Sequence, residues 1–216
     1  MRNLIFLLLF TACQKQPEML YNTVTEPLRE RSTFTISGKV IWEGNRLGAQ
    51  SGVAGVIVTL SGAETQTATT GADGLFSFSV STAGDYTLTP VKNRPPPFCV
   101  NGVTAADAYR IQQHVSGAFL LNDPYKTLAA DCNLSNSVTA ADVSFVIQAV
   151  IGNPIAQAVF SANTWRFVPQ AYVFPDPLIP FSAPGSITLI GVSSDQTANF
   201  IGIKLGDVNA TSNPIN

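Results

Sequence analysis

Between residues 34 and 92, apolar side chains recur at every second position in short runs. Phe34, Ile36, Val40 and Trp42 share one parity; so do Val56, Val58 and Leu60, then Phe76, Phe78 and Val80, then Tyr86 and Leu88. Period two puts alternate side chains on one face, so each run predicts a half-buried antiparallel strand. Glu43-Gly44-Asn45, Ser61-Gly62, Gly71-Ala72-Asp73-Gly74 and Ala83-Gly84-Asp85 supply the turns between them. Short strands so spaced bury their apolar faces as two packed sheets, a β-sandwich over 34–92. Pro95, Pro96 and Pro97 end it, because prolines cannot continue a ladder. The period then changes. Ile111 and Val115 follow Asp107 at helical spacing, and Val143, Val146, Ile147 and Val150 follow Asp142. Gly117 and Gly152 suit the ends of these helices. Beyond 155 a β pattern returns at 164–168, 171–174, 186–190 and 200–205, with Pro175, Pro177, Pro180 and Pro184 breaking its middle into a loop. The predicted class is α+β and multidomain. A sandwich (34–92) precedes a duplicated loop–helix module (93–154) and a β segment (155–216) expected to pack on that module as one unit.

The two helical stretches belong to a repeat. Asn101-Gly102-Val103-Thr104-Ala105-Ala106-Asp107 matches Asn136-Ser137-Val138-Thr139-Ala140-Ala141-Asp142 at an offset of 35 residues. Each Thr stands three residues before its Asp, where it can cap the helix. In the second copy, Asp131 to Asp142 has the length and donor spacing of a twelve-residue calcium loop. Calcium is a hard cation that takes six to eight oxygens. Asp131, Asn133 and Ser135 offer them at positions 1, 3 and 5. The Ser137 carbonyl fits position 7, Thr139 the water-bridged position 9, and Asp142 the closing position 12. Asn136 replaces the usual glycine at position 6, which its tolerance of positive φ permits.

The first copy lacks its opening half. Counting back from Asp107 puts Pro96, Phe98 and Val100 at positions 1, 3 and 5, and none has a side-chain oxygen. Asp207-Val208-Asn209 carries the missing Asp-x-Asn. The expectation is a split site in which Asp207 and Asn209 fold back beside Asn101, Thr104 and Asp107; the alternative is a plain polar tail. Cys99 and Cys132 fall in the two loops. They are a disulfide candidate if the loops lie side by side, and two buried free thiols otherwise.

Charge and composition narrow the function. Twelve Lys and Arg against fourteen Asp and Glu give a net charge of −2 with no basic stripe, so nucleic acid is not an expected partner. There is one His, His114, and no His-Glu-x-x-His, Cys-x-x-Cys, Gly-x-Ser-x-Gly or phosphate loop, so no enzyme is expected. Trp165, Phe167, Tyr172 and Phe174 are either a sugar platform or small-core residues, the second being the commoner use. Residues 1–13 read as a signal peptide ending in Phe10-Thr11-Ala12-Cys13, where small residues before Cys13 resemble a lipobox and imply lipidation there. Residues 14–33 read as a tether. The expected location is exported: an outer-membrane or cell-surface lipoprotein, or extracellular, with the lipid its sole membrane contact.

Two family resemblances follow from these residues. Ser37-Gly38-Lys39-Val40, Gly55 to Leu60, Thr70 to Phe78 and Gly84 to Pro90 resemble a carboxypeptidase regulatory-like (transthyretin-like, Cna-B-like) domain, which implies a spacer or binding module. The duplicated loop–helix with Asp at position 12 resembles the type I dockerin over about 98–154. That resemblance implies calcium as cofactor and docking onto a cohesin-like or other surface protein, with positions 10 and 11 chiefly recognising the partner. Here those are Ala105-Ala106 and Ala140-Ala141, where Ser-Thr pairs are common. The implied function is a non-catalytic calcium-binding surface protein that docks to a partner, with polysaccharide degradation as the implied setting. The alternatives are a structural or adhesive lipoprotein and a glycan-binding accessory protein.

Overall fold

The computed structural model describes residues 33–215. The expected leader, the lipidated Cys13 and the tether up to residue 32 lie outside the described residues. Five strands come from the first half of the chain: β1 (Phe34–Trp42), β2 (Ile57–Gly62), β3 (Gln66–Thr69), β4 (Leu75–Val80) and β5 (Gly84–Val91). Four helices follow: α1 (Ala105–Val115), α2 (Pro124–Ala130), α3 (Ala140–Val150) and α4 (Pro154–Ala162). The chain then returns to strands: β6 (Trp165–Pro169), β7 (Ile187–Val192), β8 (Gln196–Thr197) and β9 (Phe200–Lys204). Parallel and antiparallel pairings mix, and the class is α+β with an N-terminal β-sandwich.

The expected boundary at residue 92 needs correction, because the sandwich is not finished there. One sheet runs β4-β1-β9-β6 with β8 also beside β1; the other runs β3-β2-β5-β7. Each sheet therefore draws strands from both ends of the chain. Val40, Ile41 and Trp42 pair in parallel with Phe200, Ile201 and Gly202, and Tyr86 to Leu88 pair with Ile187 to Leu189. Val168, Ile201, Ile203 and Leu205 share a core with the helices, while β6, β7 and β9 are hydrogen-bonded into the sandwich, so this part of the chain is not a separate extension.

The reason lies in β9. All five residues are buried, as a strand covered on both faces requires. Phe200 enters the core between the sheets with Ile36, Val58, Leu60, Phe78 and Leu88. Ile201 and Ile203 enter a second core with Ile41, Ile111, Leu128, Val146 and Phe160. The helices thus form a third layer over the sheet of β1 and β9. Fully burying a side chain the size of Ile203 contributes about 1.5–3 kcal/mol.

Other expectations change. Residues 171–174 form no strand. Helices α2 and α4 occupy stretches not read as helical; each begins with Pro at its first turn behind a cap, Asp123 accepting from the Tyr125 N–H and Asn153 from those of Ile155 and Ala156. Helices α1 and α3 pack on one another, and Ala108, Ile111, Val146 and Ala149 are buried in the core they share, whereas Val115, Ile147 and Val150 remain substantially exposed. Trp165 and Phe167 are buried in the sandwich core, whereas Tyr172 and Phe174 are half-buried, Phe174 meeting both Tyr125 and Tyr172 edge-on.

Candidate metal centre

Helix α3 begins with a capping box. Thr139 Oγ1 accepts from the Ala141 N–H, while Asp142 Oδ2 accepts from the Thr139 N–H at 2.9 Å and its hydroxyl at 3.3 Å. The other Asp142 oxygen reaches back across the loop, accepting from the N–H groups of Cys132 at 2.9 Å and Asn133 at 3.2 Å. Asp131 closes the far side: its Oδ1 accepts from Ser135 N–H at 2.8 Å and its Oδ2 from Asn136 N–H at 3.2 Å. Both carboxylates have 0% exposure. Asn133 Oδ1 accepts from Ser135 N–H, and the Ser135 hydroxyl lies 3.3 Å from the Ser137 carbonyl and 3.0 Å from its hydroxyl. Leu134 and Asn136 take φ of 61° and 62° and tighten the turn; asparagine is one of the residues that adopts this region readily. The six expected residues of this loop, Asp131, Asn133, Ser135, Ser137, Thr139 and Asp142, therefore lie along one continuous hydrogen-bonded turn.

The donor chemistry suits calcium: two carboxylates, an amide oxygen, hydroxyls and a carbonyl, all hard oxygens. Among the described residues no three His, Cys, Asp or Glu side chains gather, so neutral oxygens would have to complete any coordination shell. Arg166 of β6, which the sequence reading did not single out, approaches Asp131 Oδ2 to 3.5 Å and also donates to the Leu128 carbonyl. Burial pushes the Asp131 carboxyl above its usual range, against the hydrogen bonds and Arg166 that pull it down. No loop-local pattern could have revealed Arg166, since it arrives from another layer.

The first copy has a matching turn assembled from two distant segments. Asp107 Oδ2 accepts from the Thr104 N–H and hydroxyl at 2.9 and 3.0 Å. Its Oδ1 accepts from the N–H groups of Val208 and Asn209 at 3.0 and 3.2 Å. Asp207 Oδ1 accepts from Thr211 N–H and its Oδ2 from Ser212 N–H, at 3.0 and 2.9 Å. The Thr211 hydroxyl lies 3.0 Å from the Gly102 carbonyl and 2.8 Å from Asn209 Oδ1. Asp107, Thr104, Asp207 and Asn209 are thus brought together. Asn101 is not: its amide faces the Asn213 carbonyl. Thr211, Ser212 and Gly102 were missed, although Asp207-x-Asn209-x-Thr211 repeats the spacing of Asp131-x-Asn133-x-Ser135. Burial raises the Asp107 carboxyl, and the nearby Asp207 charge adds to the rise.

The proposed disulfide is corrected. Cys99 and Cys132 are free thiols, both fully buried. Cys99 Sγ points at the Gln157 carbonyl of α4 and Cys132 Sγ at the Ala129 carbonyl of α2. Burial raises both thiols above the ordinary value. His114 has a local role, its Nδ1 accepting from the Leu121 N–H at 3.1 Å.

In comparison with known families, residues 32–94 match the model of the BOS complex subunit NOMO1-like, second beta sandwich domain. That match spans β1 to β5 and agrees with an N-terminal sandwich. No curated protein and no solved structure matched the chain.

Proposed function

We propose that this is a non-catalytic, calcium-binding surface protein whose paired loop–helix units, resembling a type I dockerin, dock to a partner protein. The observation that carries the reading is the loop of residues 131–142, which turns two buried carboxylates and four neutral oxygen donors into one short arc. Asp131, Asn133, Ser135, the Ser137 carbonyl and Asp142 would hold the ion, with Thr139 bridging through water. Bound calcium would offset the charge of two carboxylates taken out of water and stiffen the entry to α3. Only two acidic ligands would contribute, and Arg166 stands beside one of them. Affinity in the micromolar-to-millimolar range of extracellular modules follows. Export and a lipid anchor at Cys13 complete the proposal, with a cohesin-like or other surface protein as partner.

A second reading, in which calcium only hardens the fold, is favoured by one feature. The helices share a core with β1 and β9 and do not form a tethered domain of their own. Heating the full chain with and without calcium tests the metal. A ligand at a hundred times its Kd raises stability by about 2.7 kcal/mol, and no rise in Tm at millimolar calcium would refute the reading. Capture of surface proteins with and without chelator separates the two: a specific partner held only with calcium supports docking, and none leaves the structural role.

A further inference from the structure

We infer that the cavity along the free edge of β6 binds an extended peptide bearing a carboxylate, with Arg166 as the group that holds the carboxylate. This goes beyond the calcium reading and does not depend on it. Strand β6 is the last of its sheet: among the described residues it pairs with β9 alone. In an antiparallel edge strand, alternate residues turn their N–H and C=O groups outward, where an added strand can bond to them. A cavity of about 470 Å³ opens along this edge, a size that ligands commonly fill. Trp165 to Val168 run along it, and Leu128 of α2, Thr89 of β5 and Gly185 are among its other lining residues.

Among the described residues, Arg166 is the one charged side chain in that lining, and no acidic residue is there to compete for it. Its own pairing is incomplete. Only Nη1 has acceptors among the described residues, the Leu128 carbonyl at 3.2 Å and Asp131 Oδ2 at 3.5 Å. Nε and Nη2 have none, and neither is sealed from solvent. Asp131 does not depend on the guanidinium, since its two oxygens already accept from the Ser135 and Asn136 N–H groups. A guanidinium only 24% exposed, with one long ion pair, carries a desolvation cost that this pair offsets poorly. A carboxylate fits its planar fork through two parallel N–H···O bonds, and would make up the difference.

An open strand edge and a cation in one cavity select a ligand that offers both backbone and negative charge. Gly185 gives a means of closing the cavity without touching Arg166. A Cβ added there would stand 3.9 Å from the Phe167 carbonyl oxygen and meet nothing nearer, and Gly185 does not occupy the left-handed region, so a side chain is tolerated.

The test is an array of randomised N-acetyl pentapeptides, each made with a free and an amidated C-terminus, probed with the full chain in chelator and again in calcium chloride. Retention of carboxylate-bearing peptides is expected, in either buffer. Loss on amidation assigns the carboxylate to the chain end, and survival only in peptides with Asp or Glu assigns it to a side chain. Arg166→Gln should weaken binding about tenfold or more, and Arg166→Lys should restore only part of it. Gly185→Leu should abolish binding while Tm stays near that of the wild type, which an Arg166 serving only Asp131 would not produce. Amide NMR signals of Phe167, Val168 and Ser186 should shift as a retained peptide is titrated in. No retention in either buffer would overturn the site, as would retention that prefers no carboxylate or that survives both Arg166→Gln and Gly185→Leu. The calcium reading, tested by its own rise in Tm, would stand or fall separately.

Discussion

Thr104 and Thr139 are each asked to do two things: end a loop and start a helix. In both, the hydroxyl accepts from the N–H two residues on and donates to the Asp at the third helical position, which accepts in return from the Thr backbone. That reciprocity explains why Thr-Ala-Ala-Asp occurs twice, and it is the part of the site most readily read from sequence. Thr139→Ala should cost about 1 kcal/mol of stability, and Thr104→Ala a similar amount, measured by urea denaturation without calcium. Serine at either position should restore most of it. If alanine is neutral at both, the capping boxes contribute nothing and Asp107 and Asp142 need another reason for their burial. What sequence could not supply at this scale is Arg166, because its approach to Asp131 depends on a layer contact.

The strands of the sandwich were readable because one face of each meets the other sheet, leaving period two intact. Elements with another burial pattern were harder. In β9 both faces are covered and alternation vanishes; α2 and α4 are short, and their Asp-Pro and Asn-Pro caps are their chief local mark. The turns carry their own chemistry. Glu64 lies between β2 and β3, and its carboxylate accepts from the Ser81 N–H at 2.8 Å and the Ser81 hydroxyl at 3.1 Å. The Ser81 N–H foremost, then the Thr82 side chain, with the Ser81 hydroxyl and Thr82 backbone adding less, lower its pKa from 4.5 to about 2. A carboxyl depressed by folding stabilises above its unfolded value, and the contribution is lost as pH falls through the folded value. The Glu64 contribution should therefore be whole above pH 4.5 and fade towards pH 2. Glu64→Gln should flatten that part of the acid-stability curve while leaving the slope above pH 5 unchanged. An NMR titration that places the Glu64 midpoint near 4.5 would disprove the assignment.

At the scale of the whole molecule, the question is whether the sandwich and the helical layer are two folding units or one. Three ties cross between them. Strand β9 gives Phe200 to one core and Ile201 and Ile203 to the other. At the end of β1, Glu43 is 2% exposed and its carboxylate meets Lys126 Nζ of α2 at 2.8 Å, while Arg46 pairs with Asp123 at 2.5 Å. The turn assembled from Asp107 and residues 207–212 joins α1 to a segment anchored on the sandwich at Pro214. Separating the layers would expose Ile41, Ile201 and Ile203 and leave Glu43 without its lysine, each change unfavourable on its own. Scanning calorimetry should accordingly show one cooperative transition, with equal calorimetric and van't Hoff enthalpies. Ile203→Ala, which removes a fully buried side chain from the helical core, should cost about 2–5 kcal/mol and lower that single transition as a unit. Residues 33–94 produced alone lose the neighbour of β1 and the partner of β5, and should not unfold cooperatively. Two resolved transitions, with Ile203→Ala shifting one of them, would instead mean that the sandwich closes without β9, and the shared strand would be an attachment, not a joint core.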